Sequence, residues 1–327
     1  MKAMRLHVPG RPLALDDVDE PVAGPGQVLL EVAACGVCRT DLHLVDGEVD
    51  VPHPPVTLGH QIVGRVLSGD GFAAGARVGV PWLGWTDGTC RFCTSDRENL
   101  CPQARFTGRD IDGGYAERTV ADARFCFALP EGLDDVHVAP LLCGGLIGYR
   151  ALRLAGDAER IGMYGFGSSA HLLTQVARWQ GRRVFAFTRP GDVEGQAFAR
   201  SLGAEWAGAS DERPPEPLDA ALIFAPAGPL VVEALRSLDR GGVVVCAGIH
   251  MSEIPAFSYD LLWQERQIRS VANLTRRDGV ELLDIAARAD LRTTVSVYPL
   301  ERTNDALDDL RHGRFEGSAV VQVGQPA

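Results

Sequence analysis

The side chains best suited to chemistry in this 327-residue chain are its cysteines, and their spacing divides them into two sets. Cys90-x-x-Cys93 followed by Cys101 places three thiols in a short run, and Asp87 precedes Cys90 by three residues. Three thiolates and one carboxylate oxygen can close a tetrahedron around zinc, and a closed site of that kind is structural. The alternative is three buried thiols in a metal-free loop. The second set is scattered, with Cys38, His60 and Cys143 in distant segments. Two thiolates and one imidazole leave a fourth position open, as catalytic zinc requires, although each residue taken singly reads as a core or surface residue. Cys35, Cys126 and Cys246 read as buried thiols.

A different chemistry is offered by Gly165-Phe166-Gly167-Ser168-Ser169-Ala170, which follows the apolar run Ile161 to Tyr164 and opens a helical pattern. Gly165 allows a tight turn and Gly167 lets the backbone approach a pyrophosphate. Ser168 and Ser169 start the helix, where unpaired amides and the dipole favour an anion. A glycine turn in some other α/β protein is the plainer reading. An NAD-preferring site carries an acidic residue at the end of the second strand, whereas here Phe187 is followed by Thr188 and Arg189. A carboxylate repels a 2′-phosphate and an arginine pairs with it, so NADP(H) is expected over NAD(H). Otherwise Arg189, which precedes Pro190, is a solvated turn residue. Lys2 is the only lysine, which excludes Schiff-base chemistry on an interior lysine and leaves phosphate to arginine or backbone amides.

Positioning these residues takes two kinds of scaffold. Up to about residue 130 the chain is rich in Gly and Pro, with short Val-rich runs at 28–32 and 62–66, which indicates an irregular β domain. From about residue 137 a helical stretch runs through Leu152. Strands then alternate with amphipathic helices: strand 161–164, helix 168–179, strand 184–187, helix 193–202, strand 220–224, helix 229–238 and strand 243–246. Continuous apolar strands separated by helices imply a doubly wound parallel sheet, so the fold class is α/β. The tail from Val295 reads strand, helix, strand. Arg213 to Pro217 reads as a surface loop.

Length suggests about two domains. The chain is 46% hydrophobic and 23% charged, an ordinary globular balance. A formal net charge of −11 with no basic patch argues against nucleic acid as a partner. The absence of a signal-like N-terminus and of a long apolar run argues against a membrane and for the cytoplasm.

Cys38-Arg39-Thr40-Asp41-Leu42-His43, Gly59-His60, Gly113-Gly114-Tyr115-Ala116-Glu117, Ala139-Pro140-Leu141-Leu142-Cys143, the turn at Gly165 and Thr275-Arg276-Arg277-Asp278 together resemble the zinc-dependent alcohol dehydrogenases of the medium-chain dehydrogenase/reductase superfamily. The resemblance implies a GroES-like catalytic domain from residues 1–140 and 280–327, with a Rossmann domain at 141–279 inserted between them. It implies that Cys38, His60 and Cys143 hold a catalytic zinc and that Asp41 accepts a hydrogen bond from His60. Thr40 and His43 match proton-relay positions, and Arg39 and Arg276 match contacts to cofactor phosphates. Trp82 and Trp85 match the lining of the substrate pocket, although two tryptophans near a β domain could equally be packing. Three positions depart from the family pattern: Gln61 replaces a glutamate, Asp87 replaces a cysteine and Ala170 replaces a glycine.

The expected activity is reversible, NADP(H)-linked oxidation of an alcohol to an aldehyde or ketone, with two Zn2+ per chain, in a homodimer or homotetramer. A pairing edge strand is expected in the region from Val243 to Pro255. The alternatives are a zinc-independent quinone or enone reductase of the same superfamily and a non-enzymatic dinucleotide-binding protein.

Overall fold

The strand Gln27–Val37 organises the N-terminal part of the chain, because Val28, Leu30, Val32 and Ala34 alternate onto one face and are buried there. The computed structural model describes residues 1–324, so the last residues of the 280–327 segment lie outside it. Ile62–Gly69, Arg118–Asp122 and Ser318–Gln322 pair antiparallel with this strand. Arg77–Val80 extends the sheet on one side, and Val295–Pro299 runs parallel to Ser318–Gln322 on the other. The helix Thr303–His312 connects those last two strands, so the tail is strand, helix, strand as read from the sequence. A small sheet joins Lys2–Leu6 to Ala14–Asp17 and Val56–Thr57. Leu83–Trp85 pairs with Arg105–Phe106.

The second architecture is a six-stranded, all-parallel sheet. Its order is Trp206–Ala209, Arg183–Thr188, Arg160–Tyr164, Leu218–Ile223, Leu238–Cys246, Gln267–Ser270. Numbered along the chain this is 3-2-1-4-5-6, the doubly wound order whose strand order reverses beside the first strand. Tyr164, Phe185, Phe187, Leu218, Ile223 and Leu235 form one packed cluster, with Tyr164 stacked on Phe187 at 4.0 Å. The chain divides into two compact units. One comprises Met1–Gly144, Asn273–Ala287 and the segment from Arg292 onward; the other comprises Gly145–Ala272 and Arg288–Leu291. Among the described residues no helix is long and apolar enough to cross a membrane.

Several elements differ from their sequence reading. The strand expected at 243–246 begins at Leu238, and Trp206–Ala209 and Gln267–Ser270 are strands the pattern did not show. The helical stretch through Leu152 is three pieces, Asp135–Val138, a 3-10 turn Ala139–Leu142 and Gly144–Leu154. Pro140 cannot donate a backbone hydrogen bond, and Gly144 and Gly145 loosen the backbone that follows it. Cys143 therefore sits at a break, with φ −136° and ψ −70°. The expected edge is corrected too. Val243–Cys246 lies inside the sheet, between Leu218–Ile223 and Gln267–Ser270, and residues 251–258 form no strand.

Candidate active site

Cys38 follows the long strand directly and caps the helix Arg39–Val45. Its Sγ accepts from the Thr40 N–H at 3.3 Å, and Asp41 Oδ2 accepts from the Cys38 N–H at 2.9 Å, so two orphan donors are satisfied reciprocally. The other Asp41 oxygen lies 3.2 Å from Nδ1 of His60, with both side chains fully buried. That separation is within hydrogen-bond reach, although the two atoms are not well aligned. The pairing turns Nε2 of His60 toward Cys38 Sγ, 3.1 Å away, and Cys143 Sγ lies 3.9 Å from Cys38 Sγ. A tetrahedral ion about 2.3 Å from each sulfur separates two thiolates by about 3.8 Å, so this donor set fits zinc as it stands. Hydrogen bonding from Cys143 and the facing His60 hold the Cys38 thiol well below its ordinary pKa, against the opposing effect of burial. Burial alone would lower the pKa of His60, but the Cys38 thiolate and the Asp41 carboxylate outweigh it and push it up to about 10. Gln61 is buried, with its amide packed on Gly36, where a Cβ would come within 2.6 Å of Oε1.

Thr40 and His43 lie on the same short helix and are buried, and His43 Nδ1 bonds the Glu48 carboxylate. Trp82 presents its ring edge-on to His60 at 4.8 Å and stacks on Phe106 at 5.1 Å. Trp85 instead lies under the guanidinium of Arg105, 5.0 Å away. Arg39 is exposed at the start of its helix. Sequence reasoning did not single out Glu48 or Phe106, and no spacing signal marks either.

The second donor set is local. The side chains of Asp87, Cys90, Cys93 and Cys101 bring four ligand atoms within 4.8 Å of one another. Asp87 Oδ1 accepts from the N–H groups of Thr89 and Cys90, each at 2.8 Å. This leaves Oδ2 beside Cys101 Sγ at 3.3 Å, and Cys90 and Cys93 Sγ are 3.6 Å apart. The two amides hold the Asp87 carboxyl well below the usual carboxylate range. Burial pushes the Cys101 thiol up to about 11. Three sulfurs and one oxygen at these separations suit a closed tetrahedral zinc. Of the remaining cysteines, Cys35 and Cys126 are buried, whereas Cys246 is only half-buried.

In the second unit, Gly165 has φ +88°, and a Cβ there would come within 2.8 Å of Ala225, so the turn needs glycine. Gly167 caps the helix Ser168–Trp179, and a Cβ added to it would meet nothing within 4 Å. The backbone at Gly167, one residue before Ser168, is therefore not crowded by neighbouring side chains. Ala170 is fully buried, so the replaced glycine position accommodates a methyl group. Thr188 ends the second strand and is buried, while Arg189 beside it is exposed. The next carboxylate, Asp192, accepts from the Gly195 N–H as the cap of the following helix. Arg276 opens the helix Arg276–Arg288 in the first unit and is held by Glu98, another residue the sequence reading passed over.

The family model described as "Alcohol dehydrogenase GroES-like domain" matches residues 24–131. A probable alcohol dehydrogenase of Mycobacterium tuberculosis is 44% identical, over 99% of this chain and 97% of that protein. Among solved structures, the alcohol dehydrogenase of the hyperthermophilic archaeon Aeropyrum pernix superposes with a TM-score of 0.89 at 28% identity, covering 98% of this chain and 100% of that one. An acetophenone reductase of Geotrichum candidum, solved with NAD, gives 0.89 at 26% identity, covering 98% and 96%. With the fold, the cysteine and histidine cluster and these likenesses in agreement, the chain belongs to the zinc-type alcohol dehydrogenase family of the medium-chain dehydrogenase/reductases.

Proposed function

We propose that the protein is a zinc-dependent alcohol dehydrogenase that works with NADP(H), reducing aldehydes or ketones and oxidising the corresponding alcohols. The observation that carries this reading is the Cys38, His60 and Cys143 cluster, preset at zinc-binding separations and oriented by Asp41. When bound there, zinc supplies Lewis acidity to the substrate oxygen, which contributes several kcal/mol to such reactions. The protein's own residues do the rest. Thr40 and His43 hold and move the proton, with Glu48 fixing the His43 ring. Trp82, stacked on Phe106 beside His60, offers an apolar wall suited to an aromatic or medium-sized aliphatic substrate, and the likeness to an acetophenone reductase supports the same class. Trp85, packed under Arg105, is assigned to the substrate pocket on the family resemblance alone.

Residues 1–140 and 280–327 form the catalytic domain in this reading, and 141–279 the dinucleotide domain. Gly165, Gly167, Ser168 and Ser169 receive the pyrophosphate, and Arg39 and Arg276 add phosphate contacts. Thr188 and Arg189 select the 2′-phosphate, a choice supported by the lack of an adjacent acid and by the commitment of Asp192 to its helix cap. Asp87, Cys90, Cys93 and Cys101 hold a second, structural zinc. The enzyme works as a homodimer or homotetramer in the cytoplasm, where its thiol ligands stay reduced.

NADPH consumption with benzaldehyde, compared between the zinc-loaded protein and Cys38→Ser, tests the proposal. The variant should lose on the order of 10³-fold in rate and one zinc per chain while keeping its fold. Equal turnover by both proteins would establish a zinc-independent reductase instead. A preference for NADPH that Arg189→Ala leaves intact would remove Arg189 from the cofactor assignment.

A further inference from the structure

Glu98 belongs to the loop that carries the Asp87, Cys90, Cys93 and Cys101 cluster, yet its side chain is turned away from solvent and only 4% exposed. A buried carboxylate is costly unless paired. Its Oε1 accepts from the backbone N–H of Arg276 at 2.8 Å and from Nε of the same residue at 3.2 Å. Arg276 starts the helix Arg276–Arg288, whose preceding Thr275 N–H and hydroxyl go to buried Asp278. The metal loop thus supplies one acceptor for the first turn of that helix. The guanidinium is held at Nε, with Cζ 5.7 Å from the centroid of the Phe125 ring, and the side chain remains 45% exposed. Among the described residues its two terminal nitrogens have no protein acceptor. On the loop side, the Cys101 N–H donates to the Glu98 carbonyl at 3.0 Å, so Glu98 and a ligand of the cluster share one turn.

We propose that Glu98 is a positioning residue for the dinucleotide. It holds Arg276 by the inner nitrogen so that the outer fork is preset for a phosphate, and metal in the loop strengthens dinucleotide binding by fixing the turn that carries Glu98. The proposal rests on the reading of Arg276 as a phosphate contact. Nothing in it requires Glu98 to touch the cofactor, so its effect must pass through Arg276.

The test measures the Kd for NADPH on the full-length protein by the fluorescence of the bound nicotinamide, with zinc content and thermal midpoint recorded for every variant. Glu98→Gln and Arg276→Ala should each weaken binding about tenfold, the scale of one charge-assisted contact. The double variant should be no weaker than Arg276→Ala alone. Additive losses, about a hundredfold together, would overturn the proposal by showing that Glu98 acts elsewhere. If Arg276→Ala weakens binding and Glu98→Gln does not, the phosphate reading of Arg276 stands and the proposal fails. If Arg276→Ala leaves the Kd unchanged, that reading itself is wrong. Emptying the loop with Cys93→Ser should weaken NADPH binding in the wild-type background and add nothing in Glu98→Gln. An equal further loss in both backgrounds would overturn the metal link.

Discussion

The two compact units are held in shape by different means. In Gly145–Ala272 a parallel sheet is filled by large apolar side chains, with Tyr164, Phe185, Phe187, Leu218 and Ile223 all fully buried. Among the described residues that unit contains no group of metal-ligating side chains. The first unit has its own core around Gln27–Val37, but its loop from Asp87 to Cys101 contains only two short 3-10 turns and buries little apolar surface. In the proposed function its order comes from an ion held by four convergent donor atoms, together with the turn that Asp87 caps. A sheet core distributes its stabilisation over many contacts, each individually small. A metal loop concentrates it in a few bonds, so the two units should fail differently.

Removal of metal gives the largest contrast. Stripping zinc with a chelator, or replacing Cys101 with Ala, should raise amide exchange across residues 87–101 by roughly 100-fold or more, since metal-binding energy in such loops is folding energy. Strands Arg160–Tyr164 and Leu218–Ile223 should keep their protection. Mass-spectrometric hydrogen exchange resolves both regions in one experiment, and a comparable loss in both would end the contrast.

The second unit has a weakness of another kind. His171, in the helix after the glycine turn, is fully buried near Phe198, and neither ring nitrogen has an aligned hydrogen-bond partner. Burial pushes its pKa down to about 4. An unfolded histidine titrates near 6.5, so between these values the unfolded chain binds the proton and the folded one does not. The group's contribution is therefore intact above about pH 6.5 and is lost as pH falls toward 4, amounting to roughly 2 kcal/mol by pH 5. Unfolding of the wild type and of His171→Leu, followed from pH 7 to 5, should show the variant losing less stability. Parallel curves would mean that His171 takes up its proton over the same pH range in the folded protein as in the unfolded chain.

The same contrast governs what the sequence disclosed. Strands such as Val184 to Phe187 are legible because burial on both faces demands an unbroken apolar run. Trp206–Ala209 and Gln267–Ser270 were missed because they are the outermost strands, and their small or polar residues carry no such run. The donor atoms of Asp87, Cys90, Cys93 and Cys101 announce themselves by local spacing. Cys38, His60 and Cys143 do not, since their meeting depends on the capping of one helix and the break in another. Least legible are Glu48 and Glu98. Glutamate is common on surfaces, and the Arg276 that gives Glu98 its role lies 178 residues away. Such residues become visible only when the fold supplies the partner.

Asp87 offers the smallest and sharpest probe, because it does two jobs with two oxygens. Oδ1 caps the turn through Thr89 and Cys90, and Oδ2 faces Cys101 in the ligand set. Asp87→Asn keeps a carbonyl oxygen for the two amides but replaces the anionic donor with a neutral one, which zinc holds less well. The metal-free loop should therefore behave as in the wild type, while zinc leaves the loaded loop about tenfold faster, a difference of about 1.4 kcal/mol if the on-rate is unchanged. Asp87→Ala should remove both functions and loosen the loop with or without metal. Zinc release timed with a chromogenic chelator, set beside exchange of the metal-free proteins, separates the two. If Asp87→Asn releases zinc at the wild-type rate, Asp87 is a turn residue alone. The loop would then hold its ion with three sulfurs, and the metal-held part of the first unit would depend on fewer bonds still.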